Sequence, residues 1–265
     1  MLQWWLAYLA IGLAVGFFAG LLGIGGGAVM VPILVLVFTA QGLPADQILH
    51  IALGTSMAAI TFTSVSSMRA HHAHGAVDWA VARAIAPGIL AGSFCAALVA
   101  GAISKRPLGL MFTVLVFYAA TQILLDLRPK RSRELPGGFG LFAAGAVIGA
   151  ISSLLAAGGA FLCIPFLAWC KVPLRRAIGT AAAIGLPIAL AGTLGYVVQG
   201  LRAEGLPSPS LGYVYLPALV LVVATSMLAA PLGARVAHRL PVKRLRIIFA
   251  LLLYALALRM LVSLW

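Results

Sequence analysis

Apolar residues along this chain come in long runs rather than at alternate positions. Ile51–Met68, Val81–Ala102, Leu108–Leu125 and Leu245–Leu256 are almost free of charge. Each approaches the roughly 20 residues that an α-helix needs to cross a bilayer. Runs such as Leu219-Val220-Leu221-Val222-Val223 lack the polar–apolar alternation of a membrane β-barrel, the other spanning solution. The pattern predicts an all-α polytopic membrane protein.

One strongly polar stretch, Asp126 to Gly138, interrupts this pattern near the middle. The same order of features recurs on either side of it, which signals an internal repeat. Gly20-Leu21-Leu22-Gly23-Ile24-Gly25-Gly26-Gly27, followed by Pro32, aligns with Ser153-Leu154-Leu155-Ala156-Ala157-Gly158-Gly159-Ala160, followed by Pro165. Gly54-Thr55 then aligns with Gly179-Thr180, and each half ends in a long apolar segment. Residues 1–127 read as a first repeat, 128–138 as a cytosolic linker and 139–265 as a second repeat, all in one integrated membrane domain.

The first apolar block of each half is too long for one straight span. Glycine inside a helix costs about 1 kcal/mol relative to alanine, so consecutive glycines predict a break. The expectation is helix Trp4–Leu22, a break at Gly23–Gly27 and a short helix Ala28–Ala40. In the second half it is Phe139–Leu155, a break at Ala156–Gly159 and Ala160–Cys170. Three further spans follow in each half.

Charge decides whether such a block crosses the membrane or turns back. The chain has 18 Lys and Arg. A single crossing divides them 8 against 10, whereas a hairpin leaves only Lys105, Arg106, Arg202 and Arg259 opposite the other 14. Basic residues concentrate on the cytoplasmic side of membrane proteins, so the hairpin is favoured. The loop at residues 41–50 has no Lys or Arg, so the count bears on the second half and the repeat carries the reading to the first. A hairpin plus three helices makes an odd number of crossings. The halves are then a two-fold inverted repeat, with the central loop in the cytosol and both termini outside a cell inner membrane. Transporters are often built this way.

Composition agrees: 63% of residues are hydrophobic and 9% charged, against about 25% charged in soluble domains. The net charge of +13 sits at helix ends, where orientation and lipid contact account for it, and no basic stretch is interleaved with aromatics as a nucleic-acid groove requires. Cys95, Cys163 and Cys170 lie in apolar segments without CxxC spacing and read as core residues. Met1–Leu22 lacks a basic start and reads as a retained helix rather than a cleaved signal.

The candidate chemistry lies at the breaks. Glycines at Gly25, Gly26 and Gly27 expose backbone N–H groups, and the helix that follows begins with free donors and a partial positive charge. Gly158 and Gly159 repeat the arrangement. Two such helix starts facing one another would hold a small oxyanion; the plainer reading is close helix packing. Thr55, Ser56, Thr61, Thr63, Ser64, Ser66 and Ser67 make one helix rich in hydroxyls. Most are expected to bond the carbonyl four residues earlier. Thr55 and Thr180, at matching positions, and Ser56 and Gln122 are the candidate donors to substrate.

His71, His72 and His74 beside Asp78 read as a solvated loop rather than a metal site. The five acids, Asp46, Asp78, Asp126, Glu134 and Glu204, fall in loops or at span ends, which disfavours cation transport. Any coupled proton is left to the substrate or to a histidine such as His50. With no GxSxG, HExxH or Walker motif, no catalytic residue, metal or cofactor is expected.

The glycine run with its proline, its weaker echo, Gly54-Thr55-Ser56 and Gly75-Ala76-Val77-Asp78-Trp79 together resemble the TauE/SafE sulfite exporter family of permeases, over nearly the whole chain. The resemblance implies a carrier of sulfur oxyanions or organosulfonates. The second half departs from the family pattern, with Ala156 and Ala157 in place of a fuller glycine motif. The leading expectation is a secondary transporter or facilitator of a small anion, partnered by the lipid bilayer and not by nucleic acid. A homodimer stays an open option, as do a non-transporting assembly protein and, with less support, an intramembrane enzyme.

Overall fold

A computed structural model describes residues 2–22, 26–125, 133–237 and 242–262. It contains helices α1 (Leu2–Leu22), α2 (Gly27–Ala40), α3 (Ile48–Ala73), α4 (Trp79–Ala102) and α5 (Lys105–Leu125). The second half contributes α6 (Gly138–Leu154), α7 (Ala160–Trp169), α8 (Leu174–Gly200), α9 (Leu216–Ala237) and α10 (Val242–Val262). Two short strands, β1 (Ser210–Leu211) and β2 (Val214–Tyr215), pair antiparallel ahead of α9. Among the described residues, α3, α4, α5, α8 and the first 18 residues of α1 are long and apolar enough to span a bilayer.

Among the described residues each half has five helices in the same order, the first two separated at the expected break. The breaks fall within a residue or two of expectation; the main difference is that Gly27 is already helical. Pro32 and Pro165 sit inside α2 and α7, five residues after each helix begins. Each lies just past the four N-terminal donors that lack partners, so it removes one intrahelical bond, that to the carbonyl of Ala28 or Phe161.

The start of α1 and the end of α2 lie together. Tyr8 Oη donates to Gln41 Oε1, and the Tyr8 ring stands edge-on to Phe38 at 6.2 Å. In the second half Arg133, ahead of α6, lies over the Trp169 ring at 5.1 Å and donates its N–H to Trp169 O at 3.3 Å. In both pairs, then, the chain turns back towards the level at which it started.

The halves interlock. α1 packs along α9 and α4 along α6, while α3 crosses α8 and α5 meets α10. Gly12 and Gly16 let α1 touch the backbone of α9: a Cβ at either would stand 2.5 or 2.4 Å from the carbonyl oxygens of Val222 and Ser226. Gly145 and Gly149 do the same for α6 against Ile85 and Ile89 of α4, both at 2.5 Å. Helices in lipid gain no hydrophobic drive from meeting, so backbone contact through small residues carries the association. Gly88 and Gly92 of α4 close the seam with α6 from the other side, where a Cβ would stand 2.0 Å from the Phe142 or Ala146 carbonyl oxygen, so the packing role of glycine expected from the sequence is real.

Candidate functional site at the paired helix breaks

Both short helices open on a left-handed glycine. Gly26 (φ +65°) is the N-cap of α2 and Gly159 (φ +74°) that of α7. These are aligned positions in the repeat, and L side chains strain in this region whereas glycine does not. Gly26 O accepts from Val29 N at 3.2 Å and Met30 N at 3.1 Å. Gly159 O accepts from Leu162 N at 3.2 Å and Cys163 N at 2.8 Å. The earlier N–H groups of α7, on Ala160 and Phe161, have no backbone acceptor among the described residues.

The two breaks meet. A Cβ on Gly27 would stand 1.7 Å from Ala156 O and 2.6 Å from Ile60 Cδ1 of α3. Gly158 O approaches Gly185 of α8, beside Ser64 Oγ of α3. Residues 155–160 are buried throughout. A small cavity of about 10 Å³, room for about one water, is lined by Gly26 and Ala28 from one break, Leu155, Ala157 and Phe161 from the other, and α5 and α10. Gly26, Gly27, Gly158 and Gly159 are therefore brought together. Gly25 lies outside the described residues.

Thr55 and Thr180 are fully buried and occupy equivalent places elsewhere. Thr55 Oγ1 accepts from Tyr215 N, and Thr180 Oγ1 accepts from Asp78 N, both at 3.0 Å. Each hydroxyl thus receives the chain just ahead of α9 or α4. The preceding glycines make room for the same loops: a Cβ on Gly54 would stand 2.6 Å from Tyr213 O, and one on Gly179 2.3 Å from Ala76 O. Thr55 is about 8 Å along the helix axis from Ile60, at 1.5 Å per residue. Ser56 is buried with no partner for Oγ, and Gln122 Oε1 is buried likewise.

Other hydroxyls divide into two groups. Thr61, Thr113, Thr121, Thr193 and Thr225 bond the carbonyl four residues earlier, as expected for hydroxyls in helices. Ser93, Ser152 and Ser153 are fully buried yet have no partner. Ser152 matters most for the site, because its Oγ lies 3.5 Å from where a Cβ on Gly159 would stand. Only its place one residue ahead of the aligned glycine-like segment could have drawn attention to it in the sequence.

The buried core holds no Asp, Glu, Lys or Arg among the described residues. His50 is buried near the start of α3, with Nε2 2.9 Å from Ile103 O and its ring stacked on Tyr213 at 5.1 Å. Burial pushes the Tyr213 phenol above its usual value, so it stays neutral. Two of the other imidazoles have local partners: His72 Nδ1 accepts from Trp79 Nε1 at 3.1 Å, and His74 Nδ1 lies 2.7 Å from Ala70 O.

A profile of the sulfite exporter TauE/SafE family matches residues 8–260, which takes in both breaks and both threonine-held loops. The chain belongs to the TauE/SafE family. A Haemophilus influenzae relative, a probable membrane transporter protein, is 35% identical over 95% of this chain and 96% of its own length. Probable membrane transporter proteins of Methanocaldococcus jannaschii and Bacillus subtilis are 26% and 24% identical, over 95% and 85% of this chain and 93% and 87% of theirs. No solved structure matches. As a TauE/SafE protein with several apolar spans, the chain is a multi-pass membrane transporter that takes a small-molecule substrate.

Proposed function

We propose that this protein is a secondary carrier or facilitator of a small anion, a sulfur oxyanion such as sulfite or an organosulfonate. The anion binds where the N-termini of α2 and α7 converge. The observation that carries the reading is that two helices opened by left-handed glycines meet at one small cavity among residues with no buried charge. Helix starts supply N–H donors and a positive potential without a cation. The family description favours a sulfur oxyanion, while the relatives' names speak only of membrane transport.

The proposed architecture is an inverted repeat of two hairpins, each followed by three helices. Its support is the exchange of α9 and α4 between the halves, the matched threonine contacts, and the Tyr8–Gln41 and Arg133–Trp169 pairs. The charge bias then sets the Arg133–Trp169 end in the cytosol and both termini outside an inner membrane. A cavity near 10 Å³ is too small for an oxyanion, so binding requires the two short helices to part. Thr55 and Thr180 keep the loops in place and Gln122 offers a polar group on α5.

Flux into proteoliposomes of labelled sulfite and methanesulfonate tests the reading. Carried anion is expected with the native chain. Gly159→Ala, whose Cβ meets the flexible tip of Ile188 at 2.3 Å and which adds about 1–2 kcal/mol of left-handed strain, is expected to fold with reduced stability and to lose most flux, as is Gly26→Ala. Absence of flux for every anion by well-folded native protein would favour an assembly role instead, and unchanged flux in both variants would remove the breaks from the mechanism.

A further inference from the structure

We infer that the paired breaks take a singly charged oxyanion and reject doubly charged ones, with Ser152 as the side chain that grips it. This rests on the anion-carrier reading. Each helix N-terminus carries a partial charge of about +0.5, so two facing one another offset about one negative charge. No side chain in the described interior adds to that sum, and the C-termini of α1 and α6 at the same breaks, with Ala156 O beside Gly27, only subtract from it. Among the residues whose side chains are described, Arg69, Arg83, Arg106, Arg133, Lys171, Arg175, Arg176, Arg202 and Arg259 are exposed and Lys105 is half-buried, all near helix ends or in loops. His50 is about 15 Å along α3 from Ile60, at 1.5 Å per residue. The cost of burying an ion rises with the square of its charge, so a second negative charge at this site stays uncompensated.

Ser152 is the independent sign of a ligand. Its hydroxyl is fully buried, makes no hydrogen bond, and lies 3.5 Å from where a Cβ on Gly159, the residue that opens α7, would stand. A buried polar group left without a partner is costly, and its retention points to a partner that arrives with the substrate. Ser153 provides the contrast. It is equally buried, but its Oγ faces Gly192 of α8, 3.0 Å from a Cβ built there.

The test uses the full chain in proteoliposomes with methanesulfonate, sulfite and sulfate. Methanesulfonate keeps one charge at all relevant pH, and its flux is expected to be flat between about pH 6 and pH 8. Sulfite holds its last proton only below roughly neutral pH, so its flux is expected to fall about tenfold over that range. Sulfate is expected neither to move nor to compete at a tenfold excess. If His50 governed the pH dependence, methanesulfonate flux would follow pH as well, and this would overturn the inference. So would sulfate flux comparable to that of methanesulfonate, while leaving the carrier reading intact; absence of flux for all three ends both.

For the side chain, Ser152→Ala is expected to raise the half-saturating methanesulfonate concentration about tenfold, the loss of one hydrogen bond to a charged group. Its melting temperature should stay level or rise, because the hydroxyl has no partner to lose. A drop in melting temperature with unchanged affinity would make Ser152 a structural residue and sink its assignment. Ser153→Ala, the control, is expected to leave affinity unchanged.

Discussion

Ala156 holds a left-handed backbone (φ +46°) without being glycine. The first half has Gly23 at the aligned position, outside the described residues. A left-handed L residue costs about 1–2 kcal/mol, partly offset by the flexibility that glycine adds to the unfolded chain. Ala156→Gly is therefore expected to stabilise the protein by about 1 kcal/mol, read as a raised melting temperature in detergent. A lowered one would mean that the Ala156 methyl packs better than its backbone strains. At this scale the sequence was informative wherever the cause was local. The consecutive glycines, the break positions and the aligned Gly26 and Gly159 follow from backbone sterics alone. Ser152 was not legible, because its significance is the lack of a bond, and no residue pattern reveals that.

Between elements, the pairing of Thr55 and Thr180 was visible as a repeat, but its physical cause was not. Their partners lie 160 and 102 residues away, and tertiary contacts at such range leave no trace in periodicity. Valine at either position keeps the shape and removes the acceptor, stranding the N–H of Tyr215 or Asp78. The expected cost is about 1–3 kcal/mol for each variant, measured by thermal unfolding, with serine restoring much of it. Equal stability of the valine variants, together with lost flux, would return the two hydroxyls to the list of direct substrate ligands. The seams of α1 on α9 and of α6 on α4 were likewise hidden: Gly12, Gly16, Gly145 and Gly149 carry i, i+4 spacing, yet nothing in the chain names the helix each pair meets.

For the whole molecule, membrane class and helix count by halves were legible because composition and run length determine them. The proposed sidedness is a stronger statement, and it can be checked directly. Single cysteines replacing exposed Ala45 and Glu204, in a background without Cys95, Cys163 and Cys170, are expected to react with an impermeant maleimide from outside the cell. Cysteines replacing exposed Ala73 and Glu134 are expected to react only after permeabilisation. The Ala45–Glu204 pair is decisive for the second block, since a single crossing by α6 and α7 would put the two residues on opposite sides, although the Glu204 backbone carbonyl accepts from nearby Gln47 Nε2 at 2.8 Å.

The glycine seam of α1 has one more consequence, for biogenesis. Gly12 and Gly16 leave the ribosome well ahead of the backbone they fit, around Val222 and Ser226, which is synthesised some 210 residues later. Until then that bare groove must lie against lipid or a chaperone. Contacts this distant along the chain form late, so α1 is inserted long before it can settle, and a ribosome stalled short of α9 would leave a nascent product open to membrane proteases.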